Sequence, residues 1–294
     1  MSSQAKNFQL ISRHKSLDLS TPKIMGILNI TPDSFSDGGR YTNLDDALRQ
    51  VEYMIEQGVH IVDIGGESTR PNALPVSSDV EIARVLPVVM AIRQRFGDGL
   101  WLSLDTSNPS LMQAGIEAGA DMINDVRALT RKGAAAVAAN LNVPVVLMHH
   151  RGEPDEMDRL ASYHDVLNEV IAELGNHVNT AIKAGVSRDN IIIDVGMGFA
   201  KNFAEHRILT KNLDKVIGHF GLPMLFGVSR KRFLGEILQN GQKAWHNHEP
   251  SKRDTLGAAM SLLAVQAGAS IVRVHDVAKT AQVLSLWQQI YGDE

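Results

Sequence analysis

Apolar and polar positions along the chain fall into two alternating rhythms. Eight short runs rich in β-branched residues (residues 23–29, 60–64, 101–105, 122–124, 145–149, 191–194, 224–228 and 271–274) alternate with longer segments of helical period. Between the first two runs, Leu44, Ala47, Leu48, Val51, Met54 and Ile55 recur at three- and four-residue intervals and predict one apolar helix face. Asn43 is placed to cap that helix and Gly58 to end it. Ser78-Asp79-Val80-Glu81 predicts a capping box on the next helix, and Asn108-Pro109 a cap followed by a first-turn proline on the one after.

A weak internal repeat supports a chain built from strand–helix units. A helix closing on glycine and leading into an apolar run recurs at Gly58, Gly119, Gly185 and Gly268. Eight such units in 294 residues, with no Pro-, Gly- or Ser-rich linker, predict an α/β fold: a single (β/α)8 TIM barrel over residues 21–294. Residues 1–20 precede the first unit and are expected to form a short N-terminal hairpin over one barrel end, and the polar stretch 239–250 a long solvated loop.

Composition narrows the function. The chain is 44% hydrophobic and carries a net charge of -4, which disfavours nucleic-acid and membrane-surface roles. It has no cysteine, which removes disulfides, thiolate metal sites and thiol nucleophiles and suits a reducing cytoplasm. No secretory or membrane-spanning pattern is expected.

In a parallel barrel the carboxyl ends of the strands share one face, where chemistry gathers. The residues closing the apolar runs are nearly all polar: Asn29, Asp63, Asp105, Asn124, His149, Asp194, the turn Ser229-Arg230-Lys231, and Arg273 with His275. After Asn29 comes a long loop, residues 30–39, with the look of a flap. After Asp63 come residues 65–71, in which Gly-Gly backbone, hydroxyls and Arg70 suit an anion such as pyrophosphate. Adjacent His149 and His150 face opposite ways in a strand, and they and His246/His248 lack metal-site spacing. Lys231 lies in a basic turn, which favours a charged lysine over a Schiff-base lysine.

Seven motifs in order carry a resemblance: IMGILNITPDSFSDGG (residues 24–39), DIGGESTRP (63–71), SLDTSNP (103–109), INDV (123–126), IDVGMGFAK (193–201), GVSRK (227–231) and RVHDV (273–277). Over residues 23–277 the chain closely resembles the dihydropteroate synthase family of pterin-binding TIM barrels. The resemblance implies condensation of (7,8-dihydropterin-6-yl)methyl diphosphate with p-aminobenzoate to 7,8-dihydropteroate and pyrophosphate. The implied mechanism is SN1-like, with Mg2+ and no covalent enzyme nucleophile. It implies that Asp105, Asn124, Asp194 and Lys231 hold the pterin, Arg273 stacks on its ring, and Met148 and Phe199 line apolar walls. Asn29, Thr69, Arg70, Arg273 and His275 would take the diphosphate, with Asn29 as the protein's ligand to Mg2+. Phe35, Asp37, Thr69, Arg70 and Pro71 would close over the p-aminobenzoate pocket, where Phe199, Ser229 and Lys231 meet that substrate and sulfonamides compete. A cytoplasmic homodimer is the implied assembly. A folate-dependent methyltransferase on a similar barrel has no need of the flap or the diphosphate site, and a non-catalytic pterin-binding protein predicts loss of Asn29, Arg70 or Lys231; all are present. The chain departs from the family at Val195 (usually Pro), Met197 (usually Phe), Ala200 (usually Gly) and Asn72 (usually Gly). Ala200 calls for a backbone without positive φ, and these differences bear on inhibitor binding before the reaction.

Overall fold

A computed structural model describes residues 8–30, 40–67, 76–153, 156–157, 159–241 and 249–291. Two short strands, β1 (Gln9–Ser12) and β2 (Lys15–Asp18), form an antiparallel hairpin, as expected for the N-terminal segment. Eight parallel strands follow: β3 (Lys23–Asn29), β4 (Ile61–Gly65), β5 (Trp101–Asp105), β6 (Met122–Asp125), β7 (Val145–Met148), β8 (Ile191–Asp194), β9 (Leu225–Phe226) and β10 (Ile271–Val274). Their order runs β8-β7-β6-β5-β4-β3-β10-β9, and a bridge between Ile193 and Met224 joins the two ends into a barrel. The ring is made by helices α1 (Arg40–Glu56), α2 (Ser78–Phe96), α3 (Pro109–Glu117), α4 (Ala134–Leu141), α5 (Val166–Lys183), α6 (Phe203–Lys211), α7 (Leu213–Phe220), α8 (Arg232–Gln239), α9 (Asp254–Gln266) and α10 (Val277–Tyr291). This is the α/β barrel that the sequence predicts.

Successive side chains of a strand point to opposite faces, so each barrel strand splits into two sets. The outward set, including Ile24, Leu28, Val62, Ile64, Leu102 and Leu104, packs into one large core with the helices. The inward set starts with one residue per strand, Met25, Ile61, Trp101, Met122, Val146, Ile192, Leu225 and Ile271, which close the lower barrel with Leu10 and Leu19 from the N-terminal segment. Two residues further along the strands, five of the eight inward positions become polar: Asp63, Ser103, Asn124, Asp194 and Arg273. That step from apolar floor to polar mouth positions the site.

The local signals hold in part. Gly58, Gly119, Gly185 and Gly268 all have positive φ, between +85° and +120°, as the helix-to-strand repeat requires. Asn108 caps α3 by accepting from the Ser110 N–H at 3.0 Å, with Pro109 first in the helix. Two predicted caps are replaced. α1 begins at Arg40, so Asn43 lies inside its first turn. α2 is capped at Ser77 without a side-chain bond, because Ser78 and Glu81 are drawn across to Asn108, whose Nδ2 donates to both. A tertiary partner that fixes a loop outcompetes the local box. β9 is shorter than the run 224–228, and the loop 239–250 lies partly outside the described residues.

The barrel floor is tied to the hairpin by Asp121. Its carboxylate, nearly sealed from solvent, accepts from Lys15 Nζ at 2.9 Å, from the Leu102 N–H at 2.8 Å, and from Arg93. Removing one member of a buried ion cluster strands the others without a counter-charge. Asp121→Ala is therefore expected to destabilise the fold by about 3 kcal/mol, read as a lower urea midpoint at unchanged m; an unchanged midpoint contradicts the assignment.

Candidate active site

The inward positions above the floor are Ile27, Asp63, Ser103, Asn124, Met148, Asp194, Gly227 and Arg273, with Asn29, Asp105, Ser229 and His275 at the rim. Most of them line one cavity of about 1200 Å³ at the carboxyl end of the barrel, together with Glu67, Phe199, Lys201, His206, Lys231 and the start of α8. The expected residues Asn29, Asp105, Asn124, Met148, Asp194, Phe199, Ser229, Lys231, Arg273 and His275 are thus brought together. Phe35, Asp37, Thr69, Arg70 and Pro71 lie outside the described residues, as do Asn72, His246 and His248.

The organising contact is ionic. Arg273 on β10 donates from Nε to Asp63 on β4 at 2.6 Å and from Nη2 to Asp105 on β5 at 2.5 Å. Asn124 on β6 donates to the same Asp63 oxygen at 2.9 Å. Asp63 is wholly buried, and its second carboxylate oxygen has no partner among the described residues. Burial pushes Asp105 up to about 7, opposed by Arg273. The same two carboxylates hold the Arg273 guanidinium firmly protonated despite its burial.

A second charge pair lies across the mouth. Asp194 ends β8 and accepts the Gly196 N–H at 2.7 Å. Burial raises its pKa and Lys231 is the first opposing charge, while burial lowers Lys231 to about 8 with Asp194 pulling it back. Lys231 is the N-cap residue of α8; its ammonium donates to the Met197 carbonyl and sits 4.3 Å from the Phe199 ring centroid. Ser229 Oγ accepts the His275 N–H at 3.1 Å and meets its Nδ1 at 3.0 Å, tying the β9 turn to the end of β10. Arg230 has φ +61°, a strained value for a non-glycine residue, and is held by Nε and Nη2 donating to Asp254 at 2.8 and 2.9 Å.

Among the residues of the site with no role assigned from sequence are Asp63, Lys201 and His206. Asp63 is among the polar residues that close the apolar runs of the sequence, so its placement at the barrel mouth was legible, although it falls mid-strand in β4; its partners, 61 and 210 residues away, were not. Lys201 and His206 fall in a loop and on α6, where no strand alternation reveals an inward side chain. Ala200 corrects an expectation: it has φ +47°, so the left-handed turn that glycine usually serves is kept with a Cβ present. The Tyr163 hydroxyl donates to its carbonyl at 3.0 Å, which helps hold it there.

His149 and His150 diverge as strand alternation requires. His149 Nε2 meets Glu173 at 3.0 Å, whereas His150 stacks on His177 at 5.5 Å. Among the described residues no group of His, Cys, Asp or Glu is arranged to hold a metal ion, and no helix is long and apolar enough to cross a membrane.

Comparison with known proteins agrees with this geometry. Residues 25–275 match the family model described as pterin binding enzyme. The dihydropteroate synthase of Haemophilus influenzae is 45% identical over 281 residues, covering 95% of this chain and 98% of that one. The Yersinia pestis dihydropteroate synthase, solved with a sulfonamide drug complex, superposes with a TM-score of 0.89 at 40% identity, covering 97% of this chain and 100% of that one. The Xanthomonas albilineans enzyme superposes with 4-aminobenzoic acid bound at a TM-score of 0.88 and 39% identity (98% and 100% covered). With 7,8-dihydropteroate bound it does so at 0.84 and 38% (97% and 100%). A polar barrel mouth built on two buried carboxylate–cation pairs, shared sequence along almost the whole chain and shared fold lead to one assignment: the chain belongs to the dihydropteroate synthase family of pterin-binding enzymes.

Proposed function

We propose that this chain is a dihydropteroate synthase, a transferase that joins (7,8-dihydropterin-6-yl)methyl diphosphate to p-aminobenzoate and releases pyrophosphate. The observation that carries the reading is the convergence of Asp105, Asn124, Asp194, Lys231 and Arg273 in one cavity. A pterin edge offers adjacent N–H donors beside a carbonyl acceptor. Asp194 suits the donors and the Lys231 ammonium the acceptors, and a pocket built for such an edge strongly rejects rings that lack it. One N–H of Asn124 is committed to Asp63, which leaves its carbonyl oxygen and second N–H for the ligand. Arg273 spends in-plane donors on two carboxylates, so a face of its planar guanidinium serves for stacking.

The diphosphate is assigned to the rim, where Asn29, Arg273 and His275 are joined from the sequence by Thr69 and Arg70. Asn29 fits Mg2+: it brings a hard carboxamide oxygen to the cavity, unbonded by any described residue. The ion would be held by Asn29 with substrate oxygens and water, and would supply charge stabilisation for the departing diphosphate. The carbon–oxygen bond of the pterin methylene ionises first. The resulting cation, delocalised into the ring, is captured by the aryl amine, which then loses a proton. Cation and carboxylates share one buried site, so Asp105 and Asp194 favour the charge that develops on the pterin. Ser229 and Lys231, at the start of α8, receive the p-aminobenzoate carboxylate beside the Phe199 ring, and sulfonamides compete there. The family resemblance gives Phe35, Asp37, Thr69, Arg70 and Pro71, which lie outside the described residues, the role of completing this pocket once diphosphate is bound. A cytoplasmic location and a homodimer rest on the family resemblance and the absence of cysteine.

Purified protein given both substrates and Mg2+ is expected to form dihydropteroate, followed by mass spectrometry, and to form none in excess EDTA. Tight pterin binding without product would turn the reading toward a pterin-binding protein or a methyltransferase. Asp194→Ala should weaken pterin binding by about a hundredfold or more, since charged hydrogen bonds contribute about 1.5–3 kcal/mol each. Arg70→Ala should lower kcat while pterin binding by calorimetry stays within a few fold, and normal turnover by either variant would remove its assignment.

The site also predicts a pH profile. Pterin recognition requires charged carboxylates and a charged Lys231. With Asp105 near 7 and Lys231 near 8, kcat/KM for the pterin substrate should fall below about pH 7 as the carboxylate cluster protonates. It should fall again above about pH 8 as Lys231 loses its proton, the two limbs belonging to the coupled cluster. Initial rates of pyrophosphate release at subsaturating pterin substrate read this bell, and a flat profile from pH 6 to 9 would contradict it.

A further inference from the structure

Beneath the loop that follows β8 lies a buried ammonium with no assigned role. Lys201 is 6% exposed, and its Nζ is 3.1 Å from the Gly196 carbonyl, 3.0 Å from the Phe199 carbonyl and 2.8 Å from His149 Nδ1. Burial draws Lys201 down to about 7, with Asp194 the first opposing charge, and the three acceptors that meet its three ammonium protons favour the charged form. His149 is itself fully buried, and its other nitrogen faces the Glu173 carboxylate of α5 at 3.0 Å. An ammonium on Nδ1 and a carboxylate on Nε2 select one arrangement: neutral imidazole, Nε2–H donating to Glu173, Nδ1 accepting from Lys201. Burial holds His149 down to about 3, consistent with that neutral form. Arg151 braces the far end by donating from Nη2 to Glu169 at 2.8 Å and from Nε to Glu173 at 2.9 Å.

The loop that this ammonium grips needs such a clamp. Gly196, Gly198 and Ala200 alternate through left-handed φ values of +67°, +82° and +47°. At Gly196 an added Cβ would fall 1.8 Å from the His149 carbonyl oxygen, so the loop is pressed against the end of β7. The clamped stretch carries Phe199 into the cavity and begins at Asp194, for which Lys201 is a further opposing charge after Lys231 and the Gly196 N–H. An arginine has no equivalent: its planar fork does not direct three donors from one atom.

We infer that Lys201 is a positioning residue for the pterin site. Relayed from Glu173 through the Nε2–H tautomer of His149, it fixes the Gly196–Phe199 backbone and so sets the Phe199 ring and the Asp194 carboxylate before substrate arrives. The role rests on the pterin reading of the cavity, and it adds to that reading a residue that touches no reacting atom.

The test uses 6-hydroxymethyl-7,8-dihydropterin, whose binding needs neither p-aminobenzoate nor turnover, measured by calorimetry at 10 °C where variants are folded by circular dichroism. If the unmodified protein does not bind it, the pterin reading itself fails. If it binds, Lys201→Met should weaken binding about tenfold to a hundredfold, the equivalent of one or two lost charged hydrogen bonds. Unchanged affinity with only a lowered Tm would assign Lys201 to stability alone and overturn the proposal. Lys201→Gln, which keeps N–H donors and loses the charge, serves the same comparison where Lys201→Met does not fold, with the same outcomes. A measurement on the unmodified protein stands apart from any variant: long-range 1H–15N spectra should show His149 neutral, with Nε2 protonated and Nδ1 bare, at pH 6 and above. A proton on Nδ1 would remove the acceptor on which the relay depends and overturn it.

Discussion

The site depends on the buried contact of Arg273 with Asp63 and Asp105. Moving charges into a barrel interior is costly, and the cost is offset only when each charge finds a partner of good geometry. Here one guanidinium from β10 meets two carboxylates from neighbouring strands β4 and β5, and Asn124 adds a donor to Asp63. With the apolar ring of eight inward residues directly below, the polar layer is held at a fixed height in the barrel. The cavity-lining groups carried by the strands stand one or two strand steps above that boundary, which gives the pocket a rigid floor and a charged wall.

Opposite that wall the design differs. Asp194 sits on a strand end, but its partner Lys231 and the Phe199 ring come from turns. Turns in left-handed conformations are not self-supporting, and each here is fastened by a buried ion or a capping group. Arg230 is fastened by Asp254, the β8 loop by Lys201 and Tyr163, and the start of α6 by the reciprocal capping box of Asn202 and Glu205. The result is a mouth with one half built on strands and one half on braced loops. An enzyme that must bind one rigid ring and then admit a second substrate beside it gains from that division, because loop conformation can respond where strand register cannot.

Much of this was legible in the chain, and for identifiable reasons. Period-two alternation within eight runs places Asn29, Asp105, Asn124, Asp194 and Arg273 at strand ends, and parallel strands put those ends on one face. Helix-closing glycines at 58, 119, 185 and 268 mark the repeat, and their positive φ values follow from it. Lys201 and His206 escaped because loop and helix residues have no register that points them inward. The cap expected of Ser78 and Glu81 failed for a related reason: Asn108, thirty residues on, offers them a partner that no local rule contains.

The sequence by itself determined the order of strands and helices, the polar character of the barrel mouth and the family to which the motifs belong, since these follow from local periodicity and short spacings. Tertiary structure alone decided which charges pair. Asp63 and Arg273 stand 210 residues apart, and their contact exists only because closing the barrel brings β10 beside β3 and within reach of β4. It also decided that Ala200 keeps a left-handed turn and that His149 lies between a carboxylate and an ammonium. Such choices depend on three-dimensional neighbours and on the desolvation each neighbour imposes, and no linear pattern encodes either quantity.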